Sequence, residues 1–253
     1  MSGTASRRGF LVSHLAARWL RWIEQTLGGV CAALLMALLV VVLATVVLRY
    51  VFGMGFVGAE DLGIWLHVAL IAFGTPLALN SALAMRLDVF VMRLPPRGQT
   101  AASVIADIFT VLAGLILAFG STRIATMLGG VSPTLGLPEW IRFGFLGAGG
   151  ALIVLVLALQ RLAEGRPVRL MAALAAGIAL HLAATQVSVP VALSPSIVLG
   201  LIAGIGLVSA APLPHAFIAA AYLAIAFGSP MPEQAVVSYT VTGMSRFLLL
   251  AIP

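Results

Sequence analysis

Gln25-Thr26-Leu27-Gly28-Gly29-Val30-Cys31-Ala32-Ala33-Leu34-Leu35-Met36-Ala37-Leu38-Leu39-Val40-Val41-Val42-Leu43-Ala44-Thr45-Val46-Val47-Leu48 contains no charged side chain. A hydrocarbon core about 30 Å thick is crossed by about 20 apolar residues rising about 1.5 Å each, so this stretch is long enough to span a bilayer. The same reading carries outward along the chain. Residues 62–85 and 143–160 are also free of charge, and residues 100–122 are broken only by Asp107. From Leu170 to Pro232 there is no Asp, Glu, Lys or Arg, but Pro190, Pro195, Pro212 and Pro214 cut that length. It divides into a fifth span at 169–188 and two shorter apolar pieces, 195–211 and 213–228, which are two short helices or one helix broken at the prolines. The expected fold is an all-α integral membrane protein, a polytopic helical bundle of six or seven spans.

The composition agrees. Of the 253 residues, 62% are hydrophobic and 9% charged, with a mean hydropathy of +1.15. A soluble domain carries about 25% charged residues, and a chain this apolar could not cover itself with polar groups in water. All 14 basic residues are arginine. They lie between apolar runs rather than on one basic face, which excludes a nucleic-acid binder. Without lysine there is neither a P-loop lysine nor a Schiff-base nucleophile. A single cysteine, Cys31, excludes an internal disulfide and any cysteine-based zinc cluster. His14, His67, His181 and His215 form no i,i+4 pair, and no metal or cofactor motif is visible, so no cofactor is expected.

Arginine placement sets the expected topology. With the N-terminus in the cytoplasm, ten arginines fall inside (7, 8, 18, 21, 86, 93, 97, 161, 166 and 169) and three outside (Arg49, Arg123 and Arg142). Before the first span, Leu11, Leu15, Trp19, Trp22 and Ile23 recur at helical spacing around Arg18 and Arg21, the pattern of an interfacial helix with rings at the acyl boundary. Residues 1–26 are read as that segment.

Several polar positions stand out. Arg49 and Tyr50 end the first span and Glu60-Asp61 open the second. The bland account is interfacial anchoring. The sharper one pairs Arg49 with Glu60 or Asp61 and fixes the tilt of two helices, with the acids also favoured by the helix dipole. Leu87, Phe90, Val91 and Leu94, set among Arg86, Asp88, Arg93 and Arg97, describe a short amphipathic helix stopped by Pro95-Pro96, suited equally to lipid contact or to docking a partner. Polar residues inside spans are costly. His67 is seven residues from Glu60, so both are expected to point into the bundle. Asp107 is expected to be hydrogen-bonded by Asn80 and Ser81. Gly144, Gly147, Gly149 and Gly150, and the pair Gly200 and Gly204, mark close helix packing.

In this order and spacing, Arg49-Tyr50-Val51-Phe52, Glu60-Asp61, Arg86-Leu87-Asp88 and Arg93-Leu94-Pro95 resemble the small membrane (Q) subunit of TRAP transporters, the tripartite ATP-independent periplasmic transporters. The resemblance covers residues 20–165 and the four-span plan. It departs at Gly58-Ala59, where the family often has a Trp before the acids, and at Ala84, where it often has a His. Ala211-Pro212-Leu213-Pro214-His215-Ala216 and Ser245-Arg246-Phe247-Leu248-Leu249-Leu250-Ala251-Ile252-Pro253 are similar to the opening of the large (M) subunit. The resemblance therefore implies a four-span domain at 27–165, a connecting span at 166–190, and the start of a large-subunit-like region at 191–253 that stops before the transport core.

It also implies the function: a non-catalytic scaffold in the bacterial inner membrane. Its partners are the lipid bilayer, a large membrane subunit, and a periplasmic binding protein that delivers organic acids or similar solutes for cation-driven import. The rivals are a self-contained transporter or channel using Asp107 and His67, a membrane enzyme, for which no nucleophile–base pair is visible, and a general assembly factor.

Overall fold

The computed structural model describes residues 2–55, 57–79, 87–127, 129–187, 194–229 and 232–249. Nine α-helices run through them, in the order α1 (Ser2–Val51), α2 (Ala59–Ala78), α3 (Asp88–Met92), α4 (Pro96–Met127), α5 (Trp140–Ala163), α6 (Pro167–Gln186), α7 (Pro195–Val208), α8 (Leu213–Leu223) and α9 (Glu233–Leu249). A 3-10 turn, Ala224–Phe227, extends α8. The chain is a polytopic helical membrane protein. Five helices have the length and apolarity to cross a bilayer: α1 over Leu11–Val51, then α2, α4, α5 and α6.

Proline sets where many of these helices begin. Its missing N–H is no loss at the first helical position and its fixed φ favours the helix; α4, α6 and α7 accordingly open at Pro96, Pro167 and Pro195. The stretch after Pro195 forms two short helices. α7 has 14 residues and α8 has 11, about 21 and 17 Å at about 1.5 Å per residue, each short of a full crossing. α7 ends in a Schellman-type turn, with the Ala211 N–H bonded to the Gly206 carbonyl and Ala210 left-handed at φ 60°. The chain then folds back, so that Gly206 meets Ala216.

Two expectations change. The interfacial segment expected at 1–26 is not a separate element, because α1 continues unbroken for 50 residues. The first proline of the chain is Pro76, and exposed arginines do not interrupt a ladder of backbone hydrogen bonds. Within α1, Ala16 and Leu27 are buried and Leu20 and Ile23 pack on the main core, while Trp19 and Trp22 stay exposed, edge to face at 5.9 Å. The second change is α9, which was not foreseen; its Val236, Val237 and Val241 enter the core.

α4 is the axis of the molecule. It packs on α5, α6, α8 and α9, while α2 lies against α1, α5 and α9. The glycines of α5 allow the closest approaches. A Cβ on Gly149 would stand 2.5 Å from the Ala72 carbonyl oxygen of α2, and one on Gly150 would stand 2.6 Å from the Gly114 carbonyl oxygen of α4. Gly200 and Gly204 of α7 have nothing within 4 Å of such a position, so that pair packs against no helix among the described residues.

Candidate functional site

The strongest concentration of charge inside the bundle forms where α4, α5 and α6 meet. Arg161 stands in the last turn of α5, where a cation is favoured by the helix dipole. Glu164, Gly165 and Arg166 then turn the chain, with Gly165 left-handed at φ 69° and the Arg166 N–H bonded to the Arg161 carbonyl. Arg169 follows in the first turn of α6. The tight reversal brings both guanidinium groups to one carboxylate, Asp107, which is 3% exposed in the middle of α4.

Arg161 forks onto Asp107, donating from Nε to Oδ2 at 2.8 Å and from Nη2 to Oδ1 at 2.7 Å. This is the bidentate geometry that a planar guanidinium suits and an ammonium does not. Arg169 donates from Nε to Oδ2 at 2.5 Å and from Nη2 to the Ser103 carbonyl at 2.7 Å. Arg161 Nη1 reaches Glu164 Oε1 at 2.7 Å. Beside the cluster lies a cavity of about 170 Å³ lined by Asp88, Ser103, Gln160, Arg161, Arg169 and Ser209, so the turn between α7 and α8 and the start of α3 both reach it. Two cations on one buried carboxylate make it a poor site for a metal or transported cation. It is well suited to joining three helices.

The partners expected for Asp107, Asn80 and Ser81, lie outside the described residues, as does Arg86. Arg161 and Arg169 were missed as partners because both count as loop charges when spans are cut at charged residues. The connection between α5 and α6 is only three residues long, Glu164 to Arg166, which is the signal that both arginines are helical and near one another.

At the opposite end of the bundle, Asp61 in the first turn of α2 accepts hydrogen bonds from the hydroxyls of Ser132 and of Thr134, the latter at 2.7 Å. Ser132 is buried. It shapes the α4–α5 connection, accepting from the Leu135 N–H on its Oγ and donating its own N–H to the Leu137 carbonyl. Asp61 thus fastens that connection to α2. Arg49 is exposed, its guanidinium carbon 6.0 Å from the centroid of the Tyr50 ring. Glu60 is exposed and His67 half-buried, so the two do not both face the bundle interior; Glu60 sits in the first turn, where the helix is still wet. Phe90 and Arg93 are exposed and Asp88 is exposed beside the cavity.

A third contact was not anticipated. Tyr222 of α8 is fully buried and donates its hydroxyl to the His181 carbonyl of α6 at 2.9 Å. Its ring stacks on the His181 imidazole at 5.1 Å and 8°, with Phe119 of α4 5.7 Å away on the same imidazole.

A family profile described as "Tripartite ATP-independent periplasmic transporters, DctQ component" matches residues 38–168, just over half of the chain. A protein of Haemophilus influenzae, provisionally named TRAP transporter small permease protein, is 28% identical over 137 residues, covering 54% of this chain and 85% of that protein. No solved structure matches the chain. The matched region takes in the C-terminal part of α1, from residue 38, and all of α2 to α5, with Asp61, Asp107 and Arg161. Arg169 lies immediately beyond it.

Proposed function

The chain belongs to the DctQ component family of the tripartite ATP-independent periplasmic transporters, and from that premise we propose that it is the non-catalytic scaffold of a cation-coupled importer. A periplasmic solute-binding protein delivers an organic acid or similar solute, and a large membrane subunit moves it. The small component holds that subunit at a fixed depth in the bilayer and contributes to the surface on which the binding protein docks. The helices beyond the match, α6 to α9, are read as a connecting helix followed by the opening of a large-subunit-like portion.

One observation carries this reading. Two carboxylates of the bundle are engaged in contacts between elements: Asp107 is held by two arginines and Asp61 by two hydroxyls, which is the chemistry of a brace. A self-contained transporter working through Asp107 and His67 would need that carboxylate open to a cation. The arginine-rich end, with Arg93, Arg97, Arg161, Arg166 and Arg169, is read as cytoplasmic under the positive-inside rule, which places the N-terminus inside and the Asp61–Ser132 contact on the periplasmic side.

Liposome transport tests the role. The purified chain alone is expected to move no organic acid under a sodium or proton gradient, and uptake is expected once the large subunit and the binding protein are supplied. Gradient-driven uptake by the chain alone would overturn the scaffold reading.

A further inference from the structure

α4 is enclosed by helices from two parts of the chain, one inside the family match and one beyond it. α5 belongs to the family match, whereas α6, α8 and α9 follow it. Asp107 stands at the seam between them. It needs no second cation for neutrality, because Arg161 already forks onto it from within the matched bundle. Arg169 adds register. Its Nε takes Oδ2 and its Nη2 takes the Ser103 carbonyl one turn away, so α6 is fixed to α4 at two levels. Further along, Gly177 of α6 lies against Val111, in line with Ser103 and Asp107 at four-residue spacing. An apolar helix face alone would hold α6 against α4 without choosing its height; an arginine on a buried carboxylate chooses it.

We propose that Asp107 is the latch that docks α6 to α9 onto the small-component bundle. Arg161 pre-orients the carboxylate, and Arg169 is the cation presented by the docking helix. The docking surface is the α4 stripe Ser103, Asp107 and Val111. The partner it fits is a membrane helix carrying an arginine in its first turn, which in this chain is α6. The latch concerns how two parts of one chain are held and stands or falls independently of transport.

Oxidative cross-linking in the full chain, with Cys31 replaced by Ala, tests it. Gly120→Cys with Val237→Cys reports docking of α9 on α4, since a Cβ on Gly120 stands 3.7 Å from the Val237 Cβ, close to the disulfide mean of about 3.8 Å. Ser121→Cys with Gly147→Cys reports the bundle itself, joining α4 to α5 across 3.3 Å. Arg169→Gln is expected to slow cross-linking at the first pair several-fold and leave the second unchanged. Arg169→Lys, which keeps one charged donor, restores most of the rate, and Arg161→Gln, which removes the pre-orientation but leaves the docking cation, slows it less than Arg169→Gln does. Unchanged α4–α9 cross-linking in Arg169→Gln overturns the latch. Equal loss at both pairs overturns it too, because Arg169 then serves general folding, as does a greater loss in Arg161→Gln than in Arg169→Gln.

Discussion

Asp107 shows how one side chain can matter more for its partners than for its own charge. Its side chain is 4% exposed, against 14% for Arg161 and 13% for Arg169, so all three are largely removed from solvent. A buried ion pair contributes little beyond well-packed apolar residues, yet breaking one by removing a partner costs about 3–5 kcal/mol. Asp107→Asn, which keeps the shape and removes the charge, is therefore expected to destabilise the purified protein by about 3–5 kcal/mol, read as a lower thermal midpoint in detergent. The triple replacement Asp107→Leu, Arg161→Leu and Arg169→Met is expected to lie close to the parent. Were the single and triple variants equally unstable, the ion pairs themselves would be the source of stability. That Asp107 is exceptional is legible in the sequence, since a carboxylate within a span demands a partner. Which partner is not, because Arg161 and Arg169 lie 54 and 62 residues away and no local periodicity links positions that far apart.

Among the helices, proline made some boundaries legible and charge made others misleading. Pro96, Pro167 and Pro195 start helices where a proline is best tolerated. Arg18 and Arg21 suggested a boundary within α1 and mark none, because an exposed charge costs a helix little. α9 was hidden because its Ser, Thr, Glu233 and Arg246 dilute the hydropathy of its few inward valines. The glycines of α5 were recognised as packing positions, but only the neighbouring backbones show which are indispensable. Gly149→Val puts a side chain where the Ala72 carbonyl already lies at 2.5 Å, and overpacking typically costs about 1–3 kcal/mol. Gly144 has nothing within 4 Å, so Gly144→Ala is expected to be neutral or to stabilise by up to about 1 kcal/mol through helix propensity alone. Thermal unfolding of the two variants side by side checks this; equal behaviour would mean that α2 and α5 separate without cost.

Over the whole molecule, the arginines carry two roles that can be pulled apart. Arg161 and Arg169 are engaged with Asp107, while Arg18, Arg21, Arg93 and Arg97 lie exposed at or before the arginine-rich end. Orientation is decided by basic residues near span ends, with little contribution from acids. The exposed group, together with Arg7, Arg8 and Arg86, still outnumbers Arg49, Arg123 and Arg142 when the buried pair is removed. Alkaline phosphatase inserted after Arg97 with the rest of the chain retained behind it is therefore expected to be inactive, and inserted in the same way after Gly136 active, both in the parent and in the variant carrying Arg161→Gln and Arg169→Gln. The same variant is expected to lose stability in detergent, since the Asp107 carboxylate is left buried without either cation. Retained orientation with lost stability would separate insertion, governed by the exposed arginines, from helix docking, governed by the buried ones. An inverted reporter pattern in the double variant would instead make the buried pair a determinant of topology, and the arginine-rich end could then no longer be treated as oriented by its surface charges alone.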